Sequence, residues 1–314
     1  MSEFKALFTS SKDIQAKFGI IKVGKYIIEP LPTNSGNQAG SKINYLLRFE
    51  DDFREWEMSS NPIEEAQLFL SFLSLQLGSR LEIDSSMINN VKITMPDSIY
   101  TDIYKEYRSM VTSLPDLNVR LKEVMSLENS IATQFLRACE IYRAAINLIG
   151  ENNTLSFFLL SIAIECLSNK ISLKRGTCEK FVDFITTYYP DTINFKDDKE
   201  YISVLKEIYY NHRSAFTHGG KAIPEASHLA DQLNKAYIKN SIDGKKVRTP
   251  GLKWFEHVVR GCLIDFLDKT EQNDEGSKID YFKDVSVKRG LIHVIAKKTL
   301  IPGQVVTTGD VDID

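Results

Sequence analysis

The stretch from Asn153 to Ile171 constrains the fold of this chain more than any other. Asn153 or Thr154 caps it, and apolar side chains from Leu155 to Leu167 cover most of the circumference of the helix that follows. A helix apolar on nearly all sides has to be buried, so other helices must surround it. Its polar residues Ser161, Glu165, Ser168 and Asn169 are spaced four, three and one apart, which puts them on one stripe. Glu165 stands among Ile164, Cys166 and Leu167, and a carboxylate in such company needs a partner because an unpaired buried charge is costly.

The surrounding helices are legible. Ser126-Leu127-Glu128-Asn129 leads into an amphipathic stretch that runs to Ile149 and closes at Gly150. Cys178 to Tyr189 is a further helix, stopped by Pro190, and Lys199 to His218 another, stopped by Gly219-Gly220. Pro224 opens a helix to about Asn240, and Pro250 precedes the last one, Leu252 to Lys269. Long helices joined by short loops predict a helical bundle over residues 116–270. The first 115 residues read differently. Gly19–Val23, Tyr26–Ile28 and Ile43–Phe49 are β-rich, the loop from Pro30 to Gly40 carries turn residues, Pro62 opens a helix from Ile63 to Leu77, and residues 98–112 form a short helix. That is a small mixed α/β domain, a candidate sensor. The tail, residues 271–314, reads as two strands around Pro302-Gly303, similar to the opening hairpin of SAF-type β modules, and would pair with the N-terminal strands or with a partner subunit. The expected class is α+β.

The chemistry concentrates in Tyr209-Tyr210-Asn211-His212-Arg213-Ser214-Ala215-Phe216-Thr217-His218-Gly219-Gly220. Arginine stays charged and offers a planar fork that matches phosphate oxygens. Histidine titrates near neutrality and serves as acid or base. On an ideal helix Arg213 and His218 are separated by about 7.5 Å of rise and about 140° of rotation, so the arginine must curl toward the histidine. A histidine before a glycine stop is also what the helix dipole alone favours. Arg213 is a candidate partner for Glu165. The alternatives for Glu165 are solvent at a bundle edge or a different basic residue.

The pattern Tyr-x-x-Arg-Ser-x-x-x-His-Gly at Tyr210 to Gly219, with the turn Ile164-Glu165-Cys166-Leu167 upstream, resembles the HEPN superfamily, and its ApeA-like branch most. The resemblance covers roughly residues 127–270. It implies a helical bundle that cuts RNA without a metal, with His218 as acid/base, Arg213 as the cation that stabilises the phosphorane, and Ser214 and Glu165 in support. One copy supplies one such histidine, whereas cleavage needs both an acid and a base. The resemblance implies a homodimer whose two segments share one cleft. It also implies service as a toxin or antiviral effector, governed by an antitoxin or an activating ligand. Asn211 and His212, beside the arginine, and the basic run Lys170, Lys174 and Arg175 are candidate RNA contacts. Tyr209 and Tyr210 either stack on a base or pack in the bundle. Lys245, Lys246, Arg248 and Lys253 form a second basic group that either meets phosphate or is simply solvated.

Composition sets limits. There are 39 lysines and arginines against 42 acidic residues, a net charge of −3, so no broad cationic field gathers nucleic acid and RNA contact has to be local. Cys139, Cys166, Cys178 and Cys262 form no Cys-x-x-Cys pair, and three of them, in helical and mostly apolar surroundings, read as reduced core thiols. The N-terminus lacks a signal-peptide core and no apolar run is long enough to span a bilayer, so the expected location is cytoplasmic, with no membrane partner. Phosphate-binding glycine loops, zincin and nucleophile-elbow motifs and zinc spacings are missing, so no cofactor and no metal ligand are expected. The other reading of the chain is a non-catalytic HEPN module for dimerisation and RNA or protein binding.

Overall fold

The computed structural model describes residues 2–10, 21–31, 43–51, 62–83, 116–171, 176–190, 194–220, 222–223, 225–242 and 244–270. The expected helix over 98–112 and the tail 271–314 lie outside them. The chain is α+β: an N-terminal antiparallel sheet, a helical bundle, and a two-stranded hairpin inserted in the bundle.

The sheet is built from β1 (Ser2–Ser10), β2 (Ile21–Val23), β3 (Tyr26–Pro30), β4 (Ile43–Asp51) and β5 (Leu81–Ile83), in the order β2-β3-β4-β1-β5. Alternation sets its buried face. Phe4, Ala6 and Phe8 of β1 lie opposite Phe49, Leu47 and Tyr45 of β4, and all six are buried. The cross-strand pairs Phe4–Phe49 and Phe8–Tyr45 have ring centroids 4.9 and 5.3 Å apart. The β2–β3 turn is Gly24-Lys25, with Gly24 at φ +56°, a conformation that side-chain-bearing residues avoid.

Helix α1 (Pro62–Leu77) joins the two halves. Ala66, Phe69, Leu70 and Leu73 pack on the sheet, while Leu68, Phe72 and Leu75 enter the core of the bundle. Each large side chain buried this way is worth about 1.5–3 kcal/mol. The C-terminus of α1 has no basic residue of its own in the last turn. Arg260, from the last helix of the chain, supplies the charge, donating from Nε to Leu75 O at 2.8 Å and from Nη2 to Gln76 O at 2.6 Å. Arg143 ties the same helix to the bundle through Gln67 O (2.9 Å) and reaches Leu81 O of β5 (2.8 Å).

The bundle runs α2 (Leu117–Ser126), α3 (Asn129–Asn147), α4 (Asn153–Ile171), α5 (Thr177–Tyr188) and α6 (Asp198–Glu207), followed by a π-helical turn (Ile208–Ser214), α7 (Ala215–Gly219), α8 (Ala226–Gln232) and α9 (Leu252–Lys269). As its composition requires, α4 is central: it packs against α3, α5, α9 and the π-helical turn. Its cap is Asn152, whose Oδ1 accepts from Leu155 N at 3.0 Å, one residue earlier than the sequence suggested. Buried Ser161 satisfies itself by donating to Phe157 O at 3.2 Å.

Two elements differ from the sequence reading. The helix expected from Lys199 to His218 is broken into α6 and α7, because residues 208–214 between them adopt the wider π form. The helix expected from Pro224 to Asn240 ends at Gln232, and a hairpin follows, β6 (Tyr237–Ile242) with β7 (Lys245–Pro250). Ile242 pairs with Lys245, and the sequence between them is Asp-Gly, a dipeptide that favours a two-residue hairpin loop.

Candidate functional site

The π-helical turn positions the candidate site. Helix α6 is capped by Asp197, whose Oδ1 accepts from Glu200 N at 2.7 Å, and buries Tyr201, Val204 and Leu205. The apolar face continues through Ile208, Tyr209 and His212. π-helical turns pair residues five apart, are rare, and recur at functional sites. The ideal α-helical phase between Arg213 and His218 therefore does not hold here, because Arg213 and Ser214 lie in the π turn and His218 in α7.

Arg213 meets Glu165. Its Nη2 donates to Oε2 at 2.7 Å, and its Nε stands 2.6 Å from Oε1, a charge contact outside hydrogen-bond alignment. Both side chains are 19% exposed, enough to be reached from solvent and too little to be freely mobile. The guanidinium also lies over the buried Tyr209 ring at 5.3 Å. Burial pulls the pKa of Arg213 down, but the Glu165 hydrogen bond and charge outweigh it and raise the value. The cation is thus fixed from below by a ring and along one edge by a carboxylate. Beside this pair, burial pushes the Cys166 thiol up to about 11, with Arg137 of α3 pulling against the shift and Glu165 adding to it.

His218 sits in the last turn of α7 and is exposed. Two contacts hold that short helix. Phe216 packs on Phe158 of α4 with ring centroids 4.8 Å apart, and Thr217 Oγ1 donates to Arg213 O at 2.9 Å. Gly220, at φ +60°, ends it, its N–H donating to Phe216 O at 3.0 Å. Ser214 is half-buried beside Arg213, and Asn211 is exposed on the π turn.

His212 is not on that surface. It is 4% exposed, meets Phe157 edge-on at 5.7 Å, and its Nε2 faces Arg248 O at 3.4 Å. Burial lowers its pKa against smaller opposing effects of that carbonyl and of Glu207, so it is a neutral core histidine out of reach of RNA. Lys170 lies in the last turn of α4 without a described side chain, and Lys174 and Arg175 lie outside the described residues. Of the second basic group, Arg248 is taken up by the fold. It donates from Nη1 to Glu207 Oε1 and to Ser203 Oγ (3.0 Å), and from its backbone N to Glu207 Oε2 (2.7 Å). Lys245 and Lys246 are exposed at the hairpin turn.

The sequence reading missed the anchors. Phe216, an aromatic two residues before His218 in an otherwise polar segment, was the available signal for the first. The β-rich run Val247 to Pro250 after Asp243-Gly244 was the signal for the second. Among the described residues no group of three His, Cys, Asp or Glu side chains is close enough to hold a metal ion, and no helix is long and apolar enough to cross a membrane. Neither known protein families, nor characterised proteins, nor solved structures give a match to this chain.

Proposed function

We propose that the chain is a metal-independent endoribonuclease of the HEPN type that works as a homodimer. The observation that carries this reading is the Arg213–Glu165 pair, which holds a guanidinium at the base of a segment whose end exposes His218. In the reaction one imidazole takes the proton of the ribose 2′-hydroxyl, whose oxygen bonds to phosphorus. The P–O5′ bond breaks, and the second imidazole protonates the departing 5′-oxygen. The arginines stabilise the charge on the phosphorane. His218 is the acid/base, Arg213 the cation, and Glu165 the positioning residue, with Ser214 beside them. Because His212 is buried, a second copy of the chain has to bring the second imidazole. A cytoplasmic toxin or antiviral effector, restrained by an antitoxin or released by a ligand, is the role that the sequence resemblance attaches to such an enzyme.

The test is cleavage of labelled RNA in the presence of a chelator. Wild-type protein cuts, and His218→Ala and Arg213→Ala each lose about a hundredfold or more. Variants that cut as fast as the wild type overturn the assignment. The second reading, a non-catalytic HEPN module for dimerisation and binding, is favoured by the single exposed histidine of the segment. It prevails if wild-type protein binds RNA as a dimer and leaves it whole.

A further inference from the structure

Tyr209 and Tyr210 are neighbours in sequence with opposite fates. Tyr209 is 6% exposed and packs against Phe181. Tyr210 is 56% exposed, the largest fraction among the exposed large apolar side chains of the described residues. An exposed aromatic is costly to hold still, yet this one is braced: its ring stands perpendicular to that of Tyr209 with centroids 5.6 Å apart. More than half of its surface is left to solvent. Lys206, one turn earlier and exposed, lies within electrostatic reach of Cys178, with Glu179 as the opposing charge there. Tyr210 and the Arg213 guanidinium both contact the Tyr209 ring, so platform and cation are no farther apart than those two ring separations laid end to end. That is the reach of one or two nucleotides.

We propose that Tyr210 is the stacking platform for an unpaired base next to the phosphate held at Arg213, with Lys206 taking a neighbouring backbone phosphate. The inference rests on the ribonuclease reading of the site and adds to it the substrate's local form, a single strand. Nucleobases offer a π-face whatever their sequence, and aromatic platforms beside a cation are how such strands are held without base-edge readout. A duplex keeps its bases stacked inside and gives Tyr210 nothing to cover.

The experiment uses full-length protein carrying His218→Ala, so that binding is read without cutting. The probes are a fluorescent oligoadenylate, an abasic ribose-phosphate strand of equal length, and an RNA duplex. Tyr210→Ala is expected to weaken oligoadenylate binding about five- to a hundredfold and to leave the abasic strand and the duplex within about twofold. Tyr210→Phe, which keeps the ring and loses the hydroxyl, should bind like the parent. Lys206→Ala should lower the salt slope by about one on both single strands. The proposal is overturned if Phe and Ala fail alike, since the hydroxyl and not the ring face is then what matters. It is equally overturned if the abasic strand loses as much, if no probe binds, or if the loss follows dissociation of the dimer in sedimentation, which would give Tyr210 to the subunit contact. Cleavage that ignores Tyr210 sinks this inference and spares the ribonuclease reading. Binding that depends on Tyr210 in a wild-type protein that never cuts sinks that reading and supports the platform.

Discussion

The π-helical turn has two sides, and each carries an arginine, a glutamate and a histidine. Toward the hairpin stand Arg248, Glu207 and His212. Toward α4 stand Arg213 and Glu165, with His218 at the end of the segment. The hairpin side is closed. Arg248 binds Glu207 and Ser203, lies over Tyr237 at 5.9 Å, and has its carbonyl facing the His212 ring. The site side is open: among the described residues Glu165 is the only hydrogen-bonding partner of the Arg213 guanidinium, and His218 is exposed. The residue types are the same and the chemistry is not. What separates scaffold from candidate site is whether the guanidinium and the imidazole are used up by the fold.

The largest effect expected is on cleavage. Arg213→Ala should lower the rate about 10²- to 10³-fold, the usual loss when a donor to developing oxyanion charge is removed. Arg248→Ala should leave the rate within about threefold, although it removes a guanidinium bound to just as good a carboxylate. Initial rates on labelled RNA decide. Equal losses from the two variants would break the contrast. Glu165→Gln sharpens it. The amide still accepts from Arg213 but no longer carries charge, so kcat should fall about tenfold with KM little moved, the signature of a residue that acts through another.

Stability should show the reverse order. Arg248→Ala leaves Glu207 only the backbone N–H of residue 248 and loosens the hairpin from α6. Hydrogen bonds to charged groups are worth about 1.5–3 kcal/mol, and the exposure of the pair (26% and 23%) trims that to about 1–2 kcal/mol. A fall of a few degrees in Tm by calorimetry is the expected reading. Tyr237→Phe, which frees Glu200 from the hydroxyl it accepts, should fall in the same direction by less.

The central helix was legible because its composition left one place for it. Glu165 was legible as a carboxylate in need of a partner, and Arg213 is the cation beside it. The phase of that arginine was not legible. Nothing in Ile208-Tyr209-Tyr210-Asn211 marks a π turn, since all four residues are admissible in an α-helix and the wider form is settled by packing on α4 and the hairpin. His212 and His218 look alike in sequence for the same reason: which face meets Phe157 depends on that turn. The hairpin was lost differently. Its local signal, Asp243-Gly244, was outweighed by the helical reading carried on from Pro224.

The smallest effect expected is a pH dependence that belongs to one side only. His212 is held neutral by burial, so its folded pKa lies below the ordinary value of about 6.5. Between the two values the unfolded chain binds a proton that the folded chain excludes, and stability rises with pH across that window. The contribution is complete above about pH 6.5 and is lost as pH falls through the lower, folded value. Urea titrations at a series of pH values should show the slope in the wild type and in His218→Gln, and lose it in His212→Phe, whose ring can keep the edge-on contact with Phe157. If His218→Gln loses the slope and His212→Phe keeps it, the imidazole that titrates against folding is on the open side, and the division of the π turn into a closed face and an open one is wrong.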